Sequence, residues 1–411
     1  MKIFDWLWGK KPEGRAITWD QAYRNGLVDH PTRSGVHVNE QTALGVSAVW
    51  CAVNVISQSI GSLPLTLYRR EGTAQAVAID HPLAAILDVQ PNYECTARVF
   101  WESYVSHALL WGNAYAEIER AQDGSPLALW LIHPQNVQVD RDTSGRLVYT
   151  VRVNGLDAQL APEDVLHLPG LSPDTVAGWN LLRVARDSIG FTIAADRYGQ
   201  SYFNNMGNVG VYLTHPGQLS DVARENIRRS FQAQAGGVDN TGKAYLLEEG
   251  LTARRETLSN EAAQYNETRE YQIAEVSRLF NISPVKLHSL GRATWGNLST
   301  LNTDYWGTTC RPWATKIEAE IARKLLKLEE RGSYYAEFDA DTLLRGDVTT
   351  RYAAYAQGIQ AGFLTPELVA EWENLPAPPK PEPVVAPVPT QTDPTQEVSN
   401  GDTQSTDPVQ G

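Results

Sequence analysis

The residues best suited to bind a charged partner lie in a glycine-rich stretch between two predicted helices. Residues 289–297 are Ser-Leu-Gly-Arg-Ala-Thr-Trp-Gly-Asn, a sequence too polar and too rich in glycine to be core. Arg292 and Trp295 offer a cation and an aromatic ring, which suit contact with nucleic acid by charge and stacking. They also fit an ordinary surface loop, and both interpretations stay open on spacing alone.

A second group of candidates lies on a helix predicted at Ser220–Ala233, which carries Arg224, Arg228 and Arg229. Arginines spaced in this way usually form a solvated helix face. The functional alternative is an edge that docks a partner or faces a phosphate.

The residue patterns of common enzyme sites are absent from the sequence. It contains no phosphate-binding GxxxxGK followed by Ser or Thr, no GxGxxG, no HExxH and no GxSxG. Residues 170–172 begin like a nucleophile elbow, but Pro173 ends the match, and we predict a loop there. Glu117 and Glu119 share a strand face and could each be half of a carboxylate pair, although solvated edge charge is the simpler interpretation.

Histidine and cysteine give no metal-binding pattern. His81, His133 and His215 each precede a proline, which is typical of turns. The three cysteines are far apart and odd in number, so they form neither a zinc motif nor a disulfide framework, and they fit a reducing compartment. We therefore expect no catalytic residues, no cofactor and no metal.

Composition favours a globular protein that does not hold nucleic acid over its whole surface. The 411 residues are 42% hydrophobic and 20% charged, with a net charge of −13. Proteins that neutralise phosphates are usually basic, so simple DNA binding by the whole chain is disfavoured. No stretch is apolar enough to span a bilayer. Residues 1–11 lack the features of a signal peptide and are predicted to be a flexible, aromatic arm, with membrane association as a minor alternative.

Two helices flank the glycine-rich stretch. The first is predicted to begin near Ser259 and to end at Asn281, and its apolar residues recur at helical spacing. They are Ile273, Val276, Leu279 and Phe280. The second helix is predicted from Leu298 to Leu328. Two helices joined by a polar loop suggest a device that presents the loop to a partner.

The preceding residues predict helices followed by an antiparallel sheet. The clearest helix is Ala43–Ile60, whose apolar stripe includes Trp50, and its neighbours are a strand at Leu63–Tyr68 and a helix from Thr96 to Trp111. Period-two alternation then predicts several strands in one antiparallel block. They are residues 114–120, 128–133, 136–140, 147–153, 156–160 and 165–168.

Beyond the sheet the sequence predicts a small α/β unit inserted between long helices. Asn180 should cap a helix that runs to about Phe203, with an apolar stripe of Leu182, Ala185, Ile189 and Ile193. The insert combines a strand at 210–214, the arginine helix, and a strand at 243–247. A strand at 334–338 and two short helices at 348–361 and 366–374 follow. Residues 376–411 hold nine of the 23 prolines and no aromatic residue, which predicts a disordered tail.

Several short stretches between residues 40 and 376 together resemble a known family. They are Ser47–Ser57, Ser62–Arg69, His81–Leu83, Gln90–Asn92, Gly112–Ala116, Phe338–Asp339, Leu343–Asp347, Gly362–Glu367 and Glu373–Pro376. In this order and spacing, the sequence resembles portal proteins of tailed bacteriophages, in the compact form common in siphophages. Trp179 and Asn180 stand where that family often has a serine-proline pair before a long helix.

The resemblance implies an α+β portal fold, assembled as a ring of about twelve subunits around a channel for double-stranded DNA. It divides the chain into nine regions. They are a flexible arm (1–40), a wing (41–179), a stem helix (180–206), a clip (207–257), a second stem helix (258–288), a tunnel loop (289–298), a long helix with a strand returning to the wing (299–346), a crown (347–375) and the proline-rich tail (376–411).

The resemblance also implies roles for the candidate residues. The tunnel loop would face DNA, and its candidate residues are Lys286, Gly291, Arg292, Trp295, Gly296 and Asn297. The clip would dock the packaging motor and later the neck proteins, through Arg224, Arg228 and Arg229.

The implied partners are further copies of the chain, sequence-independent double-stranded DNA, the terminase large subunit, head-completion and neck proteins, and a major capsid or scaffolding protein. The implied location is the portal vertex of the virion, with assembly in the host cytoplasm and no membrane in the mature particle. One alternative is a virion adaptor or neck protein without a channel. Another, less favoured because no metal or nucleophile cluster is visible, is a DNA-processing hydrolase.

Overall fold

The computed structural model describes residues 32–72, 74–153, 155–204, 211–235, 251–255, 261–289, 298–344, 348–373 and 375–376. The chain divides into two units, residues 1–346 and residues 347–411. Within the described ranges, no helix is long and apolar enough to cross a membrane.

The described elements mix helices and antiparallel strands, which confirms the α+β class. The helices are α1 (Glu40–Leu44), α2 (Ser47–Gly61), α3 (Pro82–Asp88), α4 (Ala97–Trp111), α5 (Leu181–Val184), α6 (Arg186–Asn204), α7 (Asp221–Ala235), α8 (Glu261–Phe280), α9 (Leu298–Tyr305), α10 (Arg311–Lys324), α11 (Asp341–Leu344), α12 (Val348–Gln360) and α13 (Pro366–Trp372). The strands are β1 (Leu65–Glu71), β2 (Ala74–Val77), β3 (Asn113–Arg120), β4 (Pro126–Ile132), β5 (Val137–Arg141), β6 (Leu147–Val153), β7 (Leu156–Leu160), β8 (Val165–Pro169), β9 (Val211–Thr214), β10 (Thr252–Arg255) and β11 (Tyr334–Phe338).

The core of the first unit forms around α2 and α4, which pack against each other. Val49 and Ile56 of α2 are fully enclosed, and Trp101 of α4 is 1% exposed. The predicted helix Ala43–Ile60 is in fact two helices, because the chain breaks at Gly45 before α2 starts. Trp50 is 57% exposed and does not belong to the apolar stripe. Its direction lies about 100° around the helix from that of Val49, at the edge of the buried stripe.

The predicted antiparallel block consists of two sheets. One has the strand order β4-β3-β8 and the other β5-β6-β7. The chain passes between them through two short 3-10 turns that start with proline, Pro134–Asn136 and Pro162–Asp164. Because proline has no N–H to give to a ladder, each of these turns ends strand pairing. A third sheet, β11-β1-β2, brings the predicted strand at 334–338 back to the strand that follows α2.

Glu117 corrects one of the sequence interpretations. It lies on β3, which pairs with β4 on one side and with β8 on the other, so it is on a central strand. Its side chain is buried, at 7% exposure, rather than solvated. Glu119 accepts a hydrogen bond from Trp130 Nε1 at 2.8 Å. The two carboxylates are therefore structural in this fold.

Two antiparallel helices, α6 and α8, leave this core as a pair. The first residues of the α5–α6 segment, Leu182 and Ile189, lie in the core, and so do Val276 and Phe280 at the end of α8. Asp196 Oδ1 of α6 lies 3.7 Å from Arg269 Nε of α8. Asn180 caps α5 as predicted, although the helix breaks at Ala185 and restarts as α6.

The described part of the insert contains one strand that was not predicted. β9 pairs antiparallel with β10, at Thr252–Arg255. The predicted strand at 243–247 lies outside the described residues. The arginine helix is observed as α7.

The predicted helix from Leu298 to Leu328 contains a π-helical turn and ends early. Residues Trp306–Cys310 form the π turn between α9 and α10, and α10 ends at Lys324. Pro312 has no N–H for the carbonyl of Thr308, four residues earlier. Asn281 Nδ2 donates to that carbonyl instead, at 2.9 Å.

The second unit is described as two helices, α12 and α13. Thr365 caps α13 and Pro366 occupies its first turn, as predicted. Arg351 Nη2 donates to Glu373 Oε2 at 3.0 Å, and the Tyr355 hydroxyl donates to the same carboxylate at 2.9 Å. This ion pair joins the two helices. The tail from residue 377 onward lies outside the described residues.

Candidate functional site

The glycine-rich loop is framed by two well-described segments. Gly291, Arg292, Trp295, Gly296 and Asn297 lie outside the described residues. Before the loop, α8 ends and a 3-10 turn follows at Pro284–Leu287. After it, α9 begins at Leu298.

Lys286 ties the two sides of the loop together. Its Nζ donates to Asn302 Oδ1 of α9 at 2.9 Å and lies 4.8 Å from the centre of the Tyr305 ring. Tyr305 is 1% exposed, and its hydroxyl donates to the carbonyl of Val55 at 3.1 Å. Burial raises the pKa of Tyr305 far above its usual range, so the ring stays neutral. Lys286 therefore anchors the base of the loop; contact with DNA remains a prediction for it.

A second set of hydrogen bonds holds the end of α8 against the π turn. Asn281 adopts a left-handed backbone with φ of 50°, and its carbonyl accepts from Thr309 Oγ1 at 2.5 Å. Ser277 Oγ donates to the carbonyl of Ile282 at 2.6 Å. Together with Lys286, these bonds fix where the chain enters and leaves the loop.

The three arginines of α7 are exposed. Arg224 lies 3.2 Å from Asp221, and Arg228 lies 3.7 Å from Glu225, both as exposed pairs within one helix. Arg229 Nη2 donates to Asn226 Oδ1 at 2.6 Å. Exposed pairs of this kind contribute little to stability, so the arginines are available for partner contacts. A docking role remains a prediction.

The sequence interpretation missed a second stripe on α6. The residues recognised in advance, among them Leu182 and Ile189, are the buried ones. Phe191 and Tyr198 are exposed at 52% each, and Val184, just before α6, is exposed at 65%. Their spacing of seven places side chains on one face of a helix, and this repeat was the available signal.

The outer face of α8 carries aromatic and charged groups. Tyr271 is exposed at 57%. The guanidinium of Arg278 lies 6.0 Å from the centre of that ring, and Arg278 also pairs with Glu275. This face is more polar than the outer face of α6.

A buried polar network joins the sheets to the start of the helix pair. His167 is 4% exposed; its Nδ1 lies 3.1 Å from the Tyr149 hydroxyl and its Nε2 lies 3.0 Å from Asn113 Oδ1. Because Asn113 Oδ1 also accepts from the Gly178 amide at 2.7 Å, it accepts from His167 as well. His167 therefore carries a proton on Nε2. Burial, and then the charges of Lys324 and Arg323, lower the pKa of His167 to about 3.

Glycine 112 allows a close approach at the same junction. Its φ is +76°, and a Cβ placed there would lie 2.1 Å from the carbonyl oxygen of Trp179. Only glycine fits this position, just before β3 and against the residue preceding the Asn180 cap.

A cationic groove at the end of α10 serves the helix itself. Arg120 Nη2 donates to the carbonyl of Lys324 at 2.8 Å, and Arg331 donates to the carbonyls of Arg323 and Leu326. Lys324 donates to the carbonyl of Pro162. Burial first, then Arg323, lower the pKa of Lys324 to about 8. These cations satisfy carbonyls at a helix C-terminus, so the groove is poorly suited to hold an anion.

Metal binding finds no support in the part of the chain that the structure describes, where no three side chains among His, Cys, Asp and Glu are grouped to hold an ion. The three proline-preceding histidines act in turns, as predicted. Nδ1 of His81, His133 and His215 accepts from the backbone amide two residues later.

Comparison with known proteins defines the class. The family profile described as "Phage portal protein" matches residues 47–374. The probable portal protein of Streptomyces phage phiC31 is 29% identical over 354 residues, which covers 83% of this chain and 77% of that protein. The portal protein of Enterobacteria phage HK97 is 26% identical over 369 residues, covering 88% of this chain and 87% of that protein.

Solved structures share the fold. A chain from the neck of an empty gene transfer agent (GTA) particle, computed with C6 symmetry, has a TM-score of 0.58 at 20% identity and covers 90% of this chain and 96% of its own length. A chain from the neck of a native GTA particle, computed with C12 symmetry, has the same TM-score and identity and covers 82% and 92%. An HK97 family phage portal protein from Corynebacterium diphtheriae has a TM-score of 0.56 at 20% identity and covers 77% and 97%.

Since the profile spans most of the sequence, this chain belongs to the phage portal protein family. The family resemblance, the α+β portal fold and the role of a portal protein of the phage head are thereby confirmed. The family is one of structural proteins.

Proposed function

We propose that the chain is the repeating subunit of a ring-shaped channel at one vertex of a phage capsid, through which double-stranded DNA is packaged and later ejected. The observation that carries this proposal is the family match over residues 47–374. The likeness of this chain's fold to neck chains from GTA particles computed with C6 and C12 symmetry supports a closed ring of identical subunits. Closed rings arise from heterologous contacts, in which one face of a subunit meets a different face of its neighbour.

The regions of the chain take on separate roles in this proposal. The helices and sheets of residues 41–179 are the wing, and α6 and α8 are the stem. Residues 207–257, with α7, are the clip that docks the terminase large subunit and later the neck proteins. Residues 289–298 are the tunnel loop, and residues 347–375 are the crown. A major capsid or scaffolding protein surrounds the wing at the portal vertex, and assembly takes place in the host cytoplasm.

The negative charge of the chain fits a conduit better than a binding protein. Each copy carries −13, so most of the surface repels DNA. A uniformly basic bore would hold phosphates tightly through counterion release. Contact is therefore confined to a few groups, with Arg292 the leading candidate.

Electron microscopy of the purified chain in negative stain tests the ring directly. We expect rings with an axial hole and a stalk. Monomers or flat trimers would contradict the proposal. They would favour the alternative of a virion adaptor without a channel.

The DNA contact is tested with Arg292→Ala particles, compared with particles carrying Arg141→Ala on β5. We expect the Arg292 variant to package or retain less DNA, measured as nuclease-protected DNA per particle, because it removes the cation of the loop. Packaging and retention equal to the control would refute the role of Arg292. Lys286→Ala serves as a further variant, since it releases the loop from Asn302.

Clip docking is tested by the double reversal Arg228→Glu with Arg229→Glu. Both side chains are exposed, so we expect rings to form normally while binding of terminase or neck proteins weakens. Rings that fail to assemble would place these arginines at a subunit interface instead. A metal-dependent nuclease assay on the purified chain tests the remaining alternative of a hydrolase, and we expect no activity.

A further inference from the structure

The helix pair α6/α8 has two outer faces of different chemistry. The two helices meet through Asp196 and Arg269. Each residue turns a helix by about 100°, so a side chain two residues away points to the opposite side. Ala194 and Tyr198 therefore face away from α8, and Tyr271 faces away from α6. The two outer faces look in opposite directions, as the two faces of a heterologous contact must.

Residues on the two outer faces also lie at matching heights along the axis of the helix pair. In antiparallel helices of equal rise, residues equally far from a contact, in opposite directions, lie at the same height. Tyr271 is two residues after Arg269, and Ala194 is two residues before Asp196. The exposed ring on one face thus lies level with a small residue on the other.

The surroundings of Ala194 form a depression. Phe191 and Tyr198 are exposed large side chains, and between them lie Ala194 and Ala195, both half-buried. Positions i, i+3, i+4 and i+7 of one helix are the four corners of a hole that receives a side chain from a facing helix. This hole has large residues at its ends and alanines in its middle, which leaves room for a ring.

Charges match at the same register. Arg278 is nine residues after Arg269, and Asp187 is nine residues before Asp196, so they lie at equal height. Nine residues turn a helix through about 180° from the contact side, which places both on the outer faces. Within its own subunit Asp187 also accepts from the Arg33 amide at 3.2 Å and lies 3.7 Å from Arg33 Nε, and it remains 51% exposed. At the other end, Glu267 lies two residues before Arg269, so it is level with Tyr198, which lies two residues after Asp196. Arg197 is one residue away from that height. Both of these charges are exposed.

We propose that adjacent subunits meet helix pair to helix pair, with Tyr271 of one copy seated in the Phe191–Tyr198 hole of the next. Arg278 of the first copy then pairs with Asp187 of the second, and Glu267 with Arg197. This inference rests on the ring proposed above and names its stem contact. Neighbouring subunits of a ring are related by a rotation about its axis, which does not change the position of a residue along that axis. Where the helices run along the axis, residues at equal height within one subunit therefore also lie at equal height in its neighbour. The charge complementarity selects a second copy of this chain as the occupant.

A charge swap tests the register. Asp187→Arg alone and Arg278→Asp alone each place like charges across the contact, and we expect each to lower the fraction of chain in rings by about fivefold or more. The double variant restores opposite charges and should recover rings to within about twofold of the parent. Asp88→Arg, a reversal of an exposed carboxylate on α3, is the matched control and should leave rings unchanged. A double variant no better than the single ones would overturn the proposal.

A cysteine pair tests the same contact without changing charge. Ala194 and Tyr271 of one subunit lie on opposite sides of two packed helices, with Cα atoms more than about 12 Å apart, too far for a disulfide within one chain. Oxidised Ala194→Cys with Tyr271→Cys should therefore give a ladder of linked chains on a non-reducing gel, and neither single variant should. Ala194→Cys with Glu267→Cys, displaced by about 6 Å along the helix, should link less.

The two assays separate this inference from the ring itself. If the parent forms rings, but the cysteine variant gives no ladder and the charge swap gives no rescue, the proposed register alone is overturned. Such a result would point to another occupant of the Phe191 face, for example residues 1–31 of the chain. A parent that forms no rings in negative stain would contradict the proposed function as well.

Discussion

Two regions of the molecule differ in how completely they bury their apolar residues. One is the core around α2 and α4, and the other is the helix pair α6/α8. In the core, Trp101 is 1% exposed and its Nε1 donates to the carbonyl of Leu87 at 2.9 Å. In the helix pair, Ile189 is 1% exposed, whereas Phe191, two residues later, is 52% exposed. The core encloses its aromatic residues, while the pair covers only its inner half. Among the described residues, part of the apolar pattern of the helix pair therefore stays exposed.

The largest expected effect is a difference in unfolding free energy between alanine variants of two tryptophans, which lie on the packed helices α4 and α2. Trp101→Ala leaves a large cavity in the core and loses an indole hydrogen bond, so we expect a loss of about 3–5 kcal/mol in the free energy of unfolding. Trp50→Ala, at an exposed position, should change it by less than about 0.5 kcal/mol. Urea unfolding at matched protein concentration measures both. Equal losses would show that the surface around Trp50 is covered, and the contrast between regions would fail.

Acid should weaken the core through its buried histidines. Burial lowers the pKa of His167 to about 3 and that of His107 to about 4, where the charge of His133 adds to the effect. Because the unfolded chain binds these protons more readily, stability is complete above pH 6.5 and falls as the pH drops below it. A proton that the unfolded chain binds and the folded chain does not changes the unfolding free energy by up to ~1.4 kcal/mol per pH unit, so His167 alone accounts for about 2 kcal/mol between pH 6.5 and 4.5.

The matched variant His167→Gln tests the source of this acid sensitivity. It removes one titrating group while keeping a polar side chain, so its unfolding free energy should depend less on pH, by about 1 kcal/mol per unit below pH 6. A slope equal to that of the parent would assign the acid sensitivity to other groups.

A smaller difference in subunit stability is expected between variants on the two faces of α6. Ile189→Ala creates a cavity beneath the helix and should cost about 2–3 kcal/mol in the stability of the folded subunit. Phe191→Ala should cost less than about 0.5 kcal/mol in the same measurement, yet lower the yield of rings. Thermal or urea unfolding gives the first quantity, and negative-stain counting gives the second. A Phe191 variant that loses as much subunit stability as the Ile189 variant would mean that both faces are internal.

The smallest effect concerns the base of the glycine-rich loop at residues 289–297. Lys286→Met keeps the length of the side chain over Tyr305 but loses the hydrogen bond to Asn302. We expect a cost of about 1 kcal/mol in unfolding free energy, and faster proteolysis within residues 289–298. Asn302→Ala removes the same bond from the other side and is the matched control. Unchanged proteolysis in both variants would show that this tie does not hold the loop.

Periodicity predicted the elements whose partners lie inside the subunit. The stripe of α2, the cap at Asn180, and the stop at Asn281 were all readable, because each depends on neighbours in sequence. The split into two sheets was not, since pairing of β3 with β8 joins residues about fifty positions apart. Glu117 was misjudged for the same reason: alternation predicts a strand but does not say whether that strand is central.

The candidate site was predictable in location more than in geometry. The sequence identified the glycine-rich loop and the arginine helix, while Lys286 was assigned to DNA without its tie to Asn302. That tie depends on where α9 lies relative to the 3-10 turn, which no local pattern encodes. The outer stripe of α6 was visible as a spacing of seven, but the buried stripe on the same helix drew the interpretation first.

The π turn at Trp306–Cys310 has a consequence for how the long helix can vary. A π turn holds one more residue than an α turn closed over the same rise. Loss of one residue there, for instance Gly307, would return the turn to α geometry over the same rise and leave the residues beyond it facing as they do now. Ala314 and Ile317, which are buried, would stay in the core. A deletion within the regular turns of α10 would instead rotate everything beyond it by about 100°. The π turn is therefore the place where the long helix can differ in length by one residue while α10 keeps its packing.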